Sequence, residues 1–467
     1  MKAPEPSALT AVPLPPPPPL FPRSPTMHRT KLAWLLGLTA ALTLTACDDA
    51  NDTAVPLPDT APTITALSPD AGLTEGGTAV TITGTNFAPG VSVRFGTALS
   101  STVTVNGPTS LSAVSPAGSV GKVDVTVSGP TGTSAVGSAD EFNYMAFGEY
   151  GVPTADSSLG DITLGPDGNL WFIASATNKI GKITPGGSVT EYLVPTPMSG
   201  KLSFLDEGTT GPDGELGSTT ARVNKLVTNS GLRSITAGPD GNLWFTELGV
   251  GKIGKITPTG TITQYSTPAK DSQPFDITAG PDGNLWFTQP GVNKIGRITP
   301  AGAITEHALP TVNSQPRGIT GGSDGNLWFT EYWGHKIGRM TPDGRVTEYA
   351  SPTADSGPWD ITSGADGNLW FTELLGNRVG RITPAGTITE HALPTVNSQP
   401  RSITAGPDGN LWFTQTGVNK IGRMTPGGQV TEYRVPTASG PWDIASGPDG
   451  NLWFTNSWAN RIGVLRR

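Results

Sequence analysis

The chain has 467 residues, 61 glycines, 44 prolines and a formal net charge of −8, so it is too long for one ordinary domain. Its 30 Lys and Arg residues form no basic run, which excludes the clustered cations that nucleic acid binding requires. The single cysteine, Cys47, excludes an intramolecular disulfide.

The N-terminal segment predicts export and lipid attachment. Met27 directly precedes a basic stretch, an apolar run follows at 32–44, and a Leu-Thr-Ala-Cys segment ends at Cys47. The apolar run suits a signal peptide and is too short for a transmembrane helix. The last four residues resemble the bacterial lipobox, whose cysteine receives diacylglycerol. We therefore expect a lipoprotein signal peptide at 27–46 and a lipid anchor at Cys47; the alternative is an ordinary signal peptide with an incidental cysteine.

The segments on either side of this signal predict no fold. Residues 1–26 contain five consecutive prolines and no basic start, so we interpret them as sequence upstream of the true start at Met27, or as a disordered leader. Residues 47–60 are acidic and contain prolines, which is typical of a flexible tether. We expect the mature protein in the bacterial cell envelope, facing outside the cytoplasm.

Residues 61–146 predict a small β-sandwich. Short segments with alternating apolar residues, such as Ala79–Thr85 and Val123–Val127, are separated by glycine turns. Their order, from Ser68-Pro69 to the closing Phe142-Asn143-Tyr144, resembles the IPT/TIG family of immunoglobulin-like domains. The segment holds no cluster of residues suited to catalysis, and the resemblance implies a spacer or a protein-contact domain.

The rest of the chain, 147–467, is a repeat array. A block reading Gly-Pro-Asp-Gly-Asn-Leu-Trp-Phe, with small variations, begins at Gly165, Gly238, Gly280, Gly322, Gly364, Gly406 and Gly447. Each unit predicts four strands, which we call a to d, with the Asp-Gly-Asn turn between a and b. Four strands in roughly 42 residues are typical of a propeller blade, so the fold class is all-β, a seven-bladed propeller after an Ig-like domain.

The ends of the array predict how the ring closes. The last unit stops after strand c at Asn460–Leu465, and an isolated strand d precedes the first unit at Phe147–Pro153. We expect this N-terminal strand to complete the last blade and so to remove a free sheet edge.

Two recurring residues have structural and functional interpretations. The tryptophan of each block predicts packing between neighbouring blades; a carbohydrate platform is the alternative. The aspartate of each turn could suggest calcium, but one carboxylate per turn is too few ligands, and turn chemistry accounts for it.

The start of strand a should surround the central channel, and here the repeats differ. Blades 2, 4 and 6 carry arginine where blades 3, 5 and 7 carry an aromatic residue followed by aspartate. The candidate ligand-binding residues are Arg233, Arg317, Arg401, Phe275, Trp359, Trp442, Asp276, Asp360 and Asp443. Guanidinium groups, aromatic faces and carboxylates around one cavity suit a ligand mouth. The alternative is a structural ring of Arg–Asp ion pairs.

The array resembles the virginiamycin B lyase family over 147–467, in its Asp-Gly-Asn-Leu-Trp-Phe-Thr-Glu, Asn-Lys-Ile-Gly-Arg-Ile-Thr and Glu-Tyr-x-x-Pro-Thr segments. The resemblance implies magnesium-assisted elimination that opens a cyclic depsipeptide. It also implies two histidines after proline in the last two blades, where this chain has Arg401 and Trp442. The magnesium ligands implied are glutamates at positions held here by Gly440 and Asn456. We therefore assign no catalytic and no metal-binding residue.

Three functions remain open from the sequence. The first is an envelope lipoprotein whose propeller binds a small molecule or an envelope protein without catalysis and without a cofactor. The second is a magnesium-dependent lyase of this family with relocated active-site residues, for which His335 in a b–c loop is on the right face. The third is a purely structural envelope protein. An insertion near 201–230 predicts either a contact loop or a disordered segment.

Overall fold

The computed structural model describes residues 60–195 and 230–467. The leader, signal peptide, Cys47 and the tether, together with nearly all of the insertion, lie outside the described residues. The regular elements within the described ranges are strands and short 3-10 turns at Ser175–Thr177, Pro290–Val292 and Thr416–Val418. No helix there has the length and apolarity needed to cross a membrane.

The first module is a two-sheet sandwich, as the IPT/TIG resemblance implies. One sheet has the strand order β1-β3-β7-β6, and the other contains β10, β8, β4 and β5, with β2 on β10 and β9 on β8. Alternate residues of the facing strands, such as Val80, Ile82 and Val125, are fully buried between the sheets. The strands are β1 Thr63–Ser68, β2 Ala71–Leu73, β3 Ala79–Thr85, β4 Ser92–Phe95, β5 Ala98–Leu99, β6 Val103–Gly107, β7 Ser110–Val114, β8 Gly121–Gly129, β9 Gly132–Thr133 and β10 Glu141–Gly151.

The repeats form seven blades of four antiparallel strands, which confirms the predicted fold class. Blades 1 to 3 comprise β11 Leu159–Leu164, β12 Leu170–Ala174, β13 Lys179–Ile183, β14 Val189–Leu193, β15 Leu232–Ala237, β16 Leu243–Glu247, β17 Lys252–Ile256, β18 Ile262–Ser266, β19 Ile277–Ala279, β20 Leu285–Gln289, β21 Lys294–Ile298 and β22 Ile304–Ala308. Blades 4 to 6 comprise β23 Pro316–Gly321, β24 Leu327–Glu331, β25 Lys336–Met340, β26 Val346–Ala350, β27 Pro358–Ser363, β28 Leu369–Glu373, β29 Arg378–Ile382, β30 Ile388–Ala392, β31 Pro400–Ala405, β32 Leu411–Gln415, β33 Lys420–Met424 and β34 Val430–Arg434. Blade 7 contains β35 Pro441–Ser446, β36 Leu452–Asn456 and β37 Arg461–Arg466.

The fourth strand of blade 7 is the second half of β10, as the chain ends predict. Antiparallel pairing runs from Ala146 opposite Arg466 to Gly151 opposite Arg461. The first half of β10 pairs with β8 of the sandwich, so one continuous strand belongs to both modules and crosses the boundary expected at 146.

Side-chain contacts add to this shared strand. Arg423 of blade 6 forms an ion pair with Asp70 of the Ig-like domain and a second with Asp408 at 3.1 Å. Arg467 contacts the same Asp408 at 2.9 Å. Arg423 is only 7% exposed, and a buried guanidinium needs such partners. The Ig-like domain therefore packs on the a–b turns of the last two blades, at the opposite end of the propeller from the start of strand a.

The repeated tryptophan packs between blades, which confirms the structural interpretation of this residue. Trp412 of blade 6, for example, belongs to one buried cluster with Phe454 and Leu465 of blade 7. Its indole N–H donates to Asp408 Oδ1 at 3.0 Å, and the same bond recurs in every blade. The turn aspartate therefore also accepts a hydrogen bond from a buried indole N–H. The turn sequence alone did not predict this bond.

The Glu-Tyr-x-x-Pro-Thr segments link successive blades. Glu348 on strand d of blade 4 accepts hydrogen bonds from Lys336 of its own blade at 2.8 Å and from the Thr311 hydroxyl of the preceding connection at 2.6 Å. Glu331, at the end of strand b, lies against Glu348; its burial, and then the negative charge of Glu348, raise its pKa to about 8. Other blades place an amide in this pair, such as Gln415 donating to Glu432 at 2.8 Å. Blade 4 therefore has a carboxyl with a raised pKa at the position where those blades have an amide.

Candidate functional site

The starts of the a strands form a ring whose backbone is held by threonines. In the Leu-Trp-Phe-Thr segment of strand b, each threonine hydroxyl donates to a carbonyl at the start of strand a in the next blade. Thr372, for example, donates to the Arg401 carbonyl at 2.6 Å, and Thr455 donates to that of Gly160 at 2.7 Å. These bonds position the residues that surround the channel, and they account for the repeated threonine.

Arginines and aromatic residues alternate around this ring, and each guanidinium lies over an aromatic residue on either side. We call these six residues the alternating ring. Its guanidinium-to-ring-centroid distances are 4.2 Å for Arg233–Phe275, 4.4 Å for Phe275–Arg317, 5.0 Å for Arg317–Trp359, 4.5 Å for Trp359–Arg401, 3.7 Å for Arg401–Trp442 and 5.4 Å for Trp442–Arg233. Cation–π contact of this kind stabilises both partners and fixes the arginine side chains.

The neighbouring aspartates bond to backbone rather than to arginine. Asp276 accepts the N–H of Ile319 in blade 4 at 2.7 Å and the hydroxyl of Ser234 in blade 2 at 2.7 Å. Asp360 likewise accepts the N–H of Ile403 in blade 6 at 2.9 Å. Asp161 and Asp443 make equivalent bonds at the junctions of blades 1–2 and 7–1. The four carboxyls therefore join neighbouring blades around the axis.

No ion pair connects these four carboxyls to an arginine within the described part of the chain. The alternative of a structural ring of Arg–Asp ion pairs is therefore wrong, because backbone amides and serines take the carboxyl oxygens. Each carboxyl keeps some surface toward the narrow channel but is surrounded by protein. Burial, and then the charge of a neighbouring aspartate, raise the pKa of Asp276 to about 7 and of Asp360 to about 8. The pKa of Asp161 is also raised, first by burial and then by Asp443.

Residues from all seven blades line one cavity of about 70 Å³ on the axis. Of the nine residues that the sequence analysis assigned to a ligand mouth, eight line it, and Arg317 does not. At this size the cavity holds little more than a few waters. The axial cavity is therefore too small for a ligand with an aromatic ring.

A much larger pocket opens where blade 1 departs from the repeat. Gly160 occupies the ring position that holds arginine or an aromatic residue in the other blades. Blade 1 therefore contributes no side chain to the alternating ring, and this gap is spanned by the longest of the six contacts, 5.4 Å from Arg233 to Trp442. Blade 1 also has Ile173 in place of the repeated threonine. At this gap lies a pocket of about 470 Å³, within the range typical of small-molecule sites. We call it the gap pocket.

The walls of the gap pocket combine apolar faces with a few polar groups. Three predicted residues, Arg233, Phe275 and Trp442, contribute to it. Sequence reasoning missed the other walls, which include Leu159, Leu232, Leu248, Ser175, Ser457 and Trp458. The signal that could have found them is the departure of blade 1 from the repeat, at Gly160 and at Leu-Trp-Phe-Ile in place of Leu-Trp-Phe-Thr.

The positions where the family resemblance implies magnesium ligands do not fit a metal. Gly440 has a positive φ of 55°, and a Cβ there would lie 2.6 Å from the indole of Trp458, so a glutamate side chain would collide with that ring. Asn456 is fully buried, accepts from Ser439 Oγ at 2.8 Å and donates to Glu149 at 3.1 Å. Among the described residues, no group of three or more acidic, histidine or cysteine side chains could hold a metal ion.

The three described histidines lie on strand d of blades 3 and 5 and in the b–c loop of blade 4. His307 and His391 stack on Trp286 and Trp370, with ring centroids 5.7 and 5.9 Å apart, so they take the place of the strand d tyrosine in other blades. His335 lies in the b–c loop of blade 4, 3.5 Å from Asp355. It does not line the gap pocket.

Comparisons with known proteins agree with both modules. The model described as the Virginiamycin B lyase family matches residues 220–408 and 312–467, and the IPT/TIG domain model matches residues 62–144. A curated virginiamycin B lyase from Nocardia farcinica is 32% identical over 129 residues, which are 26% of this chain and 46% of that protein. The match thus spans just under half the length of that relative.

Solved structures of virginiamycin B lyase from Staphylococcus aureus are similar over the whole propeller. The selenomethionine-substituted enzyme is 38% identical, with a TM-score of 0.60, and covers 69% of this chain and 99% of its own. A catalytically inactive variant of that enzyme, solved with quinupristin, has the same identity, TM-score and coverage.

Proposed function

Because the chain belongs to the virginiamycin B lyase family, we propose that it is a member that binds a ligand without catalysing elimination. The gap pocket carries this proposal, because it is the ring position where a large side chain is replaced by glycine and a ligand-sized space results. Trp442 is at the position of the family's catalytic histidine and Arg401 at that of its substrate-binding histidine, and neither can accept a proton near neutral pH. Their side chains instead stack on each other at 3.7 Å.

The first expected result is that the protein does not open a streptogramin B antibiotic. Incubation with quinupristin and Mg²⁺ should leave the cyclic compound intact, because neither a base nor metal ligands stand at the required positions. Liquid chromatography with tandem mass spectrometry is the measurement, since elimination opens the ring without changing its mass. A linear product that disappears with chelator would instead establish the lyase alternative.

The second expected result concerns Gly160→Phe, which should close the gap pocket without unfolding the protein. A Cβ at 160 would lie 3.5 Å from Ile173 and 3.7 Å from the Arg233 carbonyl, which are ordinary contacts. We expect the fluorescence of N-phenyl-1-naphthylamine to rise when the probe binds the wild type. The apparent affinity for the probe should be about tenfold or more lower in this variant. Gly137→Phe is the matched control, because Gly137 is exposed, with nothing near its Cβ. Equal binding by both variants would place the ligand elsewhere.

We also propose that Cys47 anchors the protein to a membrane of the bacterial envelope by a lipid. The basic stretch after Met27, the short apolar run and the Leu-Thr-Ala-Cys segment support this. Labelled palmitate should enter the wild type and be absent from Cys47→Ala. Label in the variant would refute the anchor.

A further inference from the structure

We propose that the gap pocket takes an uncharged ligand with a flat aromatic ring, and that this ring lies against the indole of Trp458, which lines the pocket. This inference rests on the proposed ligand-binding function of the same pocket. It adds the chemical class of the ligand and the side chain that selects it, and neither the family match nor the relatives supply these.

The backbone holds Trp458 in place without covering it. The indole lies against Gly440, where a Cβ would come within 2.6 Å of the indole ring. The Trp458 N–H donates to the Ser439 carbonyl at 3.1 Å. The residue nevertheless remains 44% exposed. An indole that is held in position and is still accessible offers a ligand a flat apolar surface, and little side-chain entropy is lost when the ligand binds.

Other walls of the gap pocket are apolar and leave room for a ring system. Leu159, Leu232 and Phe275 are buried, and Trp442 is partly exposed. All four line the pocket together with Trp458. The pocket of about 470 Å³ is well above the volume of about 150 Å³ that is enough for benzene. A ligand with two fused rings therefore fits, and aromatic surfaces gain from stacked or edge contacts beyond the area that they bury.

Two polar side chains of the wall, Asn460 and Ser175, are bonded within the protein. The Asn460 amide nitrogen donates to the Thr154 carbonyl at 2.8 Å, and its oxygen accepts the Ser157 N–H at 3.1 Å. The Ser175 hydroxyl donates to the Ser158 carbonyl at 2.9 Å. These groups stabilise the wall itself, so the ligand does not have to satisfy them.

The charged side chains of the wall favour an uncharged ligand. Arg233 has Phe275 and Trp442 against its guanidinium, at 4.2 and 5.4 Å, and it has a further partner within the protein. Asp156 is exposed, and an ion pair with an exposed carboxylate contributes little. A charged ligand would therefore lose its hydration in the pocket without gaining an equivalent partner, which is unfavourable.

Three competitors that share one two-ring carbon skeleton test this inference on the full chain. Each is titrated against bound N-phenyl-1-naphthylamine, and the loss of fluorescence measures its affinity. We expect 2-naphthol, which is flat and uncharged at neutral pH, to bind at least about fivefold more tightly than decahydro-2-naphthol, which has no aromatic ring. We expect 2-naphthoate, which is flat and anionic, to bind at least about fivefold more weakly than 2-naphthol.

Substitutions of Trp458 test the side chain that selects the ligand. Trp458→Leu should reduce the preference for 2-naphthol over decahydro-2-naphthol to within about twofold, because leucine keeps an apolar wall and removes the indole. Trp458→Phe, which restores an aromatic ring, should recover the preference. Trp333→Leu is the matched control, because Trp333 has the same place in the b–c loop of blade 4, is 54% exposed and does not line the gap pocket. It should leave the preference unchanged.

The outcomes separate this inference from the proposed function. Equal affinity for 2-naphthol and decahydro-2-naphthol, or a preference that survives in Trp458→Leu, would overturn the aromatic contact. Binding of 2-naphthoate as tight as that of 2-naphthol would overturn the uncharged class. In each of these cases the gap pocket remains a binding site. Binding of N-phenyl-1-naphthylamine that persists in Gly160→Phe would overturn the pocket itself, and with it the proposed function.

Discussion

Removal of residues 1–153 is expected to lower the melting temperature of the propeller by more than about 10 °C. The deletion takes the second half of β10 from blade 7, which leaves β37 as the open edge strand of that blade. It also removes Phe147, which packs edge-on against Phe454 at 5.9 Å, and Tyr150, which stacks on Trp453 at 5.6 Å. Thermal unfolding followed by tryptophan fluorescence is the measurement, since every blade carries a buried tryptophan.

Removal of residues 1–140 is the matched control, because it deletes most of the Ig-like domain but keeps the whole of β10. This shorter deletion should cost less, since it breaks the Asp70–Arg423 ion pair but leaves the ring closed. Equal melting temperatures for the two truncations would show that the shared strand does not close the propeller.

Asp276→Ala is expected to destabilise the protein by about 3 kcal/mol or more. The Asp276 carboxyl accepts from Ser234 Oγ at 2.7 Å, from the Ile319 N–H at 2.7 Å and from the Ile277 N–H at 2.8 Å. Alanine would leave two enclosed backbone donors without an acceptor, and it would break the links from blade 3 to blades 2 and 4. Urea unfolding at several pH values measures the loss.

Asp276→Asn is the control for this change, because the amide keeps an acceptor oxygen and has no charge. The folded-state pKa of Asp276 is about 7, above the unfolded value of about 3.9, so folding favours the protonated form. Its contribution to stability is therefore complete below pH 4 or so and is lost as the pH rises toward 7. The asparagine variant should lack this fall between roughly pH 4 and 7. An alanine variant as stable as the asparagine variant would contradict the structural role of the carboxyl.

The fold could be predicted from the sequence because its signals are local and repeated. Each Asp-Gly-Asn turn specifies an a–b hairpin from neighbouring residues, and seven such turns specify seven blades. Closure by β10 could also be predicted, since the last unit lacks a strand d and one precedes the first unit. The placement of Arg233, Phe275 and Trp442 at the channel followed from the same periodicity.

The partners of these side chains could not be predicted, because each contact joins residues from different blades. Arginine and aspartate near one axis suggest ion pairs, but the tertiary structure brings backbone N–H groups of the next blade closer to Asp276 and Asp360. The arginines stack on aromatic neighbours instead. The sequence does not distinguish Gly160 from the other glycines, since the chain has 61 of them. The pocket forms because the closed propeller places Trp458 of blade 7 and Leu248 of blade 2 on either side of blade 1, where Gly160 has no side chain.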